Sequence, residues 1–201
     1  MKKFITLCAA VLMLCVYTAS ASAAGLPHTV VKGDTMWKLA VKYQIGTQEI
    51  IDANPQVSDP NLIYPGQVLR IPQIDSTVSS FEREVVRLVN EERAKNGLKP
   101  LQENWELSRV ARYKSQDMVD NRYFSHTSPT YGTPFQMIKA FGLTYRTAGE
   151  NIAYGQRTPQ AVVSAWMNSS GHRANILNPS HTQIGVGYVA NGHYWTQMFI
   201  G

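Results

Sequence analysis

The sequence predicts an α+β protein made of two separately patterned regions, residues 28–72 and 81–201. In the first region, two helical stripes lie between a short β-branched run and an alternating apolar run, which indicates the order strand, helix, helix, strand. The second region starts with amphipathic helices and ends in two alternating stretches that flank Asn191-Gly192, a strong hairpin signal. Helices before and between terminal strands favour layers of helix and sheet.

Residues 1–23 have the three zones of a secretory signal peptide. Two lysines precede the apolar run 4–16, and small residues follow it. The run is shorter than the roughly 20 residues that span a bilayer, so we expect cleavage near Ala24, a secreted protein and no stable membrane span afterwards. Both cysteines, Cys8 and Cys15, lie in this segment. We therefore expect no disulfide in the mature chain, and no lipid anchor because large residues precede Cys15.

Charge and motif content exclude several classes of function. The formal net charge is +5, but the basic residues form no cluster of the kind that follows a phosphate backbone, so we expect no nucleic-acid binding. The sequence also lacks a His-Glu-x-x-His zinc helix, a Gly-x-Ser-x-Gly nucleophile elbow and a phosphate-binding loop. The signatures of the common hydrolases are therefore missing.

The first region is punctuated by turn residues. Residues 29–31 are a predicted strand, Gly33-Asp34-Thr35 a turn and helix cap, and Asn54-Pro55 the end of a second helix. An alternating strand over residues 68–71 closes the unit. Residues 73–80 lack a helical stripe and end in small polar residues, which predicts a linker between the two regions.

The first region resembles a LysM module over its whole length. The resemblance is carried by residues 28–40 (HTVVKGDTMWKLA), 50–54 (IIDAN) and 63–72 (IYPGQVLRIP). It implies binding of N-acetylglucosamine-containing glycans such as peptidoglycan, in a shallow groove between the first strand-helix turn and the loop after the second helix. On this chain the implied groove residues are Gly33, Asp34, Thr35 and Met36 on one side and Asn61, Leu62 and Ile63 on the other. The turn also suits plain helix capping, and we expect capping and binding together.

The second region carries four further motifs in order: residues 124–129 (FSHTSP), 149–153 (GENIA), 170–177 (SGHRANIL) and 184–188 (IGVGY). Together they resemble the bacterial branch of the CAP superfamily, which implies an α-β-α sandwich over residues 81–201. The combination with LysM resembles the YkwD-type proteins of spore-forming bacteria. That resemblance implies a role in the spore or cell envelope.

The CAP resemblance implies that His126, Glu150 and His172 converge at the floor of a cleft. Two imidazoles and one carboxylate are a ligand set that zinc accepts, with one position open for water, and the same three groups suit acid/base chemistry. Eukaryotic relatives often carry a second acidic residue shortly after the tryptophan of the fourth helix, where this chain has Asn168 after Trp166-Met167. That departure weakens a complete metal tetrad. The structural alternative is that His126 and His172 hydrogen-bond across the cleft while Glu150 holds a backbone turn through its carboxylate.

Two functions from different classes remain open at this stage. The leading interpretation is a wall-binding protein that displays a CAP domain, whose own partner is a wall glycan, a lipid or another envelope protein. The competing interpretation is a hydrolase of peptidoglycan or envelope protein that uses the three cleft residues. Fold resemblance alone does not choose between them.

Overall fold

A computed structural model describes residues 25–201 of the chain. The predicted signal peptide over residues 1–23 lies outside the described residues. Within residues 25–201, no helix is both long and apolar enough to cross a membrane.

The first region folds in the predicted βααβ order. Its elements are β1 (Leu26–Thr29), α1 (Met36–Tyr43), α2 (Thr47–Asp52) and β2 (Val68–Ile71). The two strands pair antiparallel, with Leu26 opposite Ile71 and Thr29 opposite Val68. The first strand shares only Thr29 with the predicted strand over residues 29–31, because it begins at Leu26 and the backbone N–H of Val31 is bonded to the Asp34 carboxylate in the following turn.

A small apolar core and one buried asparagine hold this unit together. Leu39, Ile50 and Leu69 are fully buried in its core. Asn54 donates from Nδ2 to the carbonyls of Ile50 and Arg70, both at 2.7 Å, and its Oδ1 accepts from the Arg70 N–H at 2.7 Å. The helix-ending asparagine thus also links α2 to β2.

The connection between the two regions is shorter than predicted. Helix α3 (Ser76–Lys95) begins inside the predicted linker 73–80, because the Asp75 side chain caps it by accepting from the N–H groups of Thr77 and Val78. A second link joins the regions, since Arg109 donates to both carboxylate oxygens of Glu49 at 2.5 and 2.9 Å.

The second region is an α-β-α sandwich, as predicted. After α3 come β3 (Gln102–Glu103), α4 (Trp105–Asp120), α5 (Pro134–Ala140), β4 (Ala148–Tyr154), α6 (Pro159–Met167), α7 (Ser170–Ile176), β5 (Gln183–Val189) and β6 (Tyr194–Ile200). The strand order is β3-β5-β6-β4, so β4 forms one edge of the sheet.

Alternation along β6 divides the two cores. Trp195 and Phe199 pack with α3, α6 and α7, whereas Met198 and Ile200 pack with α4 and α5. Helix α4 lies very close to β5, because a Cβ at Gly187 would fall 2.1 Å from the backbone N of Arg112. The glycines of the motif at residues 184–188 therefore serve helix-sheet packing.

Arg93 of α3 is buried, although arginine side chains mostly face solvent. It is 1% exposed, and its guanidinium donates to the carbonyls of Lys99, Ile176, Asn178 and His181. This arginine thus fastens α3 to the chain segment that follows α7.

Candidate functional site

The turn after β1 is stabilised by Asp34. Its carboxylate accepts from the Val31 N–H and from His28 Nε2, both at 2.9 Å, while His28 Nδ1 lies 2.9 Å from the Tyr43 hydroxyl. The hydrogen bond from Val31, followed by the one from His28, lowers the pKa of Asp34. The Asp34 side chain therefore shapes the turn, and one of its oxygens already carries both bonds.

The rest of this turn is exposed and preorganised. Thr35 caps α1 by accepting from the Lys38 N–H at 3.1 Å, and Lys38 Nζ donates to the Gly33 carbonyl at 2.7 Å. Gly33 has a φ of +93°, a conformation that glycine adopts without strain. Capping of α1 by Thr35 is thus present, as expected.

The predicted groove residues separate into surface and core positions. Met36 is 4% exposed and belongs to the core, so its side chain does not line a groove. Ile63 is half-buried against the same core, whereas Asn61 and Leu62 are exposed, Leu62 by 53%. Leu62 borders a concavity of about 240 Å³, so among the three predicted residues on that side it offers the exposed apolar contact.

In the second region, the structure brings His126 and Glu150 into direct contact. His126 Nδ1 lies 2.7 Å from Glu150 Oε1, with the histidine side chain 54% exposed and the glutamate 2% exposed. Burial raises the pKa of Glu150, and the hydrogen bond from His126 and the charge of Lys114 oppose that shift. Among the described residues, Glu150 Oε2 has no hydrogen-bond partner. The pair therefore combines a buried carboxyl group with a histidine that solvent reaches.

Lys114, which sequence reasoning missed, holds the loop that carries His126. The lysine is fully buried, and its Nζ donates to the carbonyls of Ser125 and His126 at 2.7 and 3.0 Å and to the Tyr123 hydroxyl at 2.9 Å. Burial lowers the pKa of Lys114, while the charge of Glu150 acts in the opposite direction.

Asp117 is a second residue that sequence reasoning missed. Its carboxylate accepts from the hydroxyls of Ser128 and Thr130 at 2.7 and 2.6 Å. It also accepts from the hydroxyl of Tyr123 and from the side-chain amide of Asn121. Burial works to raise the pKa of Asp117, but these hydrogen bonds outweigh it and lower the pKa. Lys114 and Asp117 lie among apolar residues on the buried side of α4, and polar residues in such a stripe are the signal that would have found them.

His172 lies on α7, which packs against the edge strand β4. Its carbonyl accepts from Asn151 Nδ2 at 3.1 Å, and Asn175 on the same helix donates to the Glu150 carbonyl at 3.1 Å. Burial lowers the pKa of His172, and the charge of His126 lowers it further. A Cβ at Gly149 would lie 3.0 Å from Asn175 Oδ1, so the 149–153 motif permits this close approach of α7.

The zinc set implied by resemblance does not assemble in this geometry. Over residues 25–201, no group of three or more His, Cys, Asp or Glu side chains is arranged to hold a metal ion. His126 and Glu150 form a hydrogen-bonded pair instead, and His172 is near enough to influence their electrostatics. The donor set as placed does not fit a three-ligand zinc site.

Two family models match the chain. The cysteine-rich secretory protein family, CAP, matches residues 86–199, and the LysM domain matches residues 28–72. Both matches agree with the resemblances carried by the motifs.

Individual relatives share one or the other region. The chain is 65% identical over 126 residues to the uncharacterized protein YkwD of Bacillus subtilis, covering 63% of this chain and 49% of that protein. It is 44% identical over 45 residues to the spore coat assembly protein ExsA of Bacillus cereus, covering 22% of this chain and 7% of that protein. The chain thus spans about half the length of YkwD and a small fraction of ExsA.

A solved structure shares the fold. It is an extracellular protein containing an SCP domain from Bacillus anthracis, 33% identical, with a TM-score of 0.60 and coverage of 68% of this chain and 47% of that one.

Proposed function

The chain belongs to the cysteine-rich secretory protein (CAP) family and carries a LysM domain, and from this premise we propose an exported envelope protein whose LysM module binds peptidoglycan. The main support for this proposal is a complete βααβ LysM unit with its own core over the matched residues 28–72. The exported location rests on the predicted signal peptide. The spore coat is the envelope layer suggested by the likeness of the LysM region to ExsA.

The exposed turn and Leu62 form the proposed glycan contact. Sugars present apolar ring faces and N-acetyl methyl groups beside hydroxyls, and an apolar side chain near exposed backbone polar groups meets both. Gly33 and Thr35 supply the backbone groups, and Asn61 supplies an amide. Asp34 contributes by fixing the turn.

Co-sedimentation of the mature chain with purified peptidoglycan tests this function. Wild type should sediment with the wall, and Leu62→Ala should weaken binding several-fold. Val68→Ala is the matched control, since Val68 is exposed to a similar extent, 56% against 53%, but lies outside the proposed contact. Sedimentation that is absent in wild type, or equally reduced by both substitutions, contradicts the proposal.

A second candidate function is acid/base chemistry at the CAP cleft, on peptidoglycan or envelope protein. It is favoured by the buried Glu150, whose Oε2 has no partner among the described residues while Oε1 contacts an exposed histidine. Burial raises the pKa of Glu150, so this group keeps its proton to a higher pH than an ordinary carboxyl group does, which suits a general acid. Its partner His126 is exposed to solvent.

Digestion of purified wall, with products separated as muropeptides, tests the second function. Release of fragments by wild type but not by Glu150→Gln supports catalysis. No release by folded wild type, on walls to which it binds, leaves the cleft as a binding site whose partner is a glycan, a lipid or another envelope protein.

A further inference from the structure

Three aromatic side chains, two exposed and one half-buried, cluster at the surface of the CAP domain. Phe124 and Tyr154 have ring centroids 4.7 Å apart, Tyr154 and Tyr194 lie 5.8 Å apart in a stacked arrangement, and Phe124 and Tyr194 are 6.4 Å apart. Phe124 is 45% exposed and Tyr154 is 56% exposed. These three residues, here called the aromatic shelf, expose apolar ring faces that a core cluster would bury.

The aromatic shelf lies next to the His126–Glu150 pair. Tyr154 pairs with Tyr194 in the sheet and lies four residues after Glu150 on β4, so the pleat directs all three side chains to one face of the sheet. The spacing along the strand is about 13 Å. Phe124 precedes His126 by two residues in the same loop. The aromatic shelf and the His126–Glu150 pair are therefore linked twice, once by β4 and once by this loop.

The surroundings of the aromatic shelf are open and polar. Arg122, Tyr123 and Asn191 line a concavity of about 520 Å³ together with the three rings. A sugar has an apolar ring face, which the aromatic side chains would contact. It also has a rim of hydroxyl groups, with which the Arg122 and Asn191 side chains would form hydrogen bonds. A lipid chain requires an enclosed apolar channel, and this concavity is open to solvent.

We propose that the aromatic shelf is a saccharide-binding subsite, which holds a wall glycan strand so that it extends along β4 towards His126 and Glu150. This inference rests on the proposed function for the source of the glycan. The LysM module ends at β2, only four residues before α3 begins at Ser76. A glycan bound by LysM would therefore be presented to the CAP domain at high effective concentration.

Fluorine NMR of the mature chain labelled with 3-fluorotyrosine tests the subsite directly. The probe is peptide-free glycan strands of alternating N-acetylglucosamine and N-acetylmuramic acid, and signals are assigned from Tyr154→Phe, Tyr194→Phe and Tyr64→Phe. Tyr64 is 59% exposed and borders the concavity beside Leu62 in the LysM module, so it reports on that module independently.

The proposal predicts that the Tyr154 and Tyr194 signals shift as glycan is added. Phe124→Leu should weaken the binding reported by these signals about three- to tenfold, the range expected for loss of an aromatic contact. Phe135→Leu, at an exposed phenylalanine of similar accessibility outside the aromatic shelf, should leave it unchanged.

The outcomes separate the two proposals. A shift of Tyr64 alone supports LysM binding and overturns the subsite. Shifts of Tyr154 and Tyr194 with Tyr64 silent support the subsite and count against the LysM proposal. Silence of all three signals overturns both, and shifts produced equally by a proline-rich peptide overturn the assignment of a saccharide.

Discussion

Replacing a buried glutamate by glutamine should change the stability of the fold differently at two positions, because the carboxylate of one is fully partnered and that of the other is not. Glu82 and Glu150 each have a side chain that is 2% exposed, and burial raises the pKa of both. Glu82 accepts from Arg112 at 2.7 to 3.0 Å and from the Tyr188 N–H at 3.0 Å. Glu150 contacts only His126 through Oε1, and its Oε2 has no partner among the described residues.

The expected free-energy changes follow from these partners. Glu82→Gln removes the charge opposite Arg112 and should destabilise the fold by about 3 kcal/mol. This value is at the lower end of the range for breaking a buried ion pair, because the Arg112 side chain is 23% exposed. Glu150→Gln loses one bond to a charged group, worth about 1.5–3 kcal/mol, but also removes a desolvation penalty of several kcal/mol. At pH 8 its stability should lie within about 1 kcal/mol of wild type, or above it.

The stability difference between Glu150→Gln and wild type should depend on pH. A carboxyl group with a raised pKa in the folded state contributes stability that is present below the ordinary pKa of about 4.3 and lost as pH rises through the folded value. Wild type loses this contribution of Glu150 at high pH and Glu150→Gln does not. The variant should therefore gain relative to wild type between pH 5 and pH 8.

Urea unfolding followed by tryptophan fluorescence at the two pH values measures these differences. The buried Trp166 and Trp195 report on the CAP core. Equal destabilisation by Glu82→Gln and Glu150→Gln at pH 8 would contradict this prediction, because it would make Glu150 a structural residue like Glu82.

Three further predictions concern packing, pH and metal. Gly187→Ala should destabilise the fold by roughly 1–3 kcal/mol in thermal denaturation, since its Cβ would collide with the α4 backbone, whereas Gly171→Ala, with nothing within 4 Å, should not. Burial lowers the pKa of His172 and His181. Their contribution to stability is therefore present above the ordinary pKa of about 6.5 and lost as pH falls through the pKa values of the folded state. The melting temperature should fall less on acidification in His181→Gln than in wild type, and an unchanged pH profile would contradict this. Calorimetric zinc titration at neutral pH should show weaker binding than a three-ligand site and loss of that binding in His126→Ala, while tight binding that depends on His172 would show that the three residues converge.

The parts of the fold set by periodicity were predictable from sequence, whereas side-chain partners were not. Apolar spacing predicted the two helices of the first region, and Asn191-Gly192 predicted the terminal hairpin. The start of α3 was missed because the Asp75 cap, and not an apolar stripe, begins the helix. A helix can be recognised from one apolar face, but its first turn depends on a single side chain.

The candidate site shows the same division. Motif resemblance placed His126 and Glu150 together, and they form a contact. It also offered His126, Glu150 and His172 as a possible zinc set, and the described residues show no group of three arranged for a metal ion. Lys114 interrupts the apolar stripe of α4, and that signal was overlooked; its acceptors, the carbonyls of Ser125 and His126, are known only from the structure. Met36 was placed in the groove by family resemblance, yet its position on α1 directs it into the core.

The most direct test of the central claim, that the LysM module binds wall glycan, is a proton–nitrogen NMR titration of the mature chain with an N-acetylglucosamine tetramer. Saturable shifts are expected for the backbone amides in the turn at residues 33–35 and in the loop at residues 61–63, with the β2 amides at residues 69–71 unaffected. A folded protein whose amides at both of these positions stay unchanged at millimolar tetramer would contradict it.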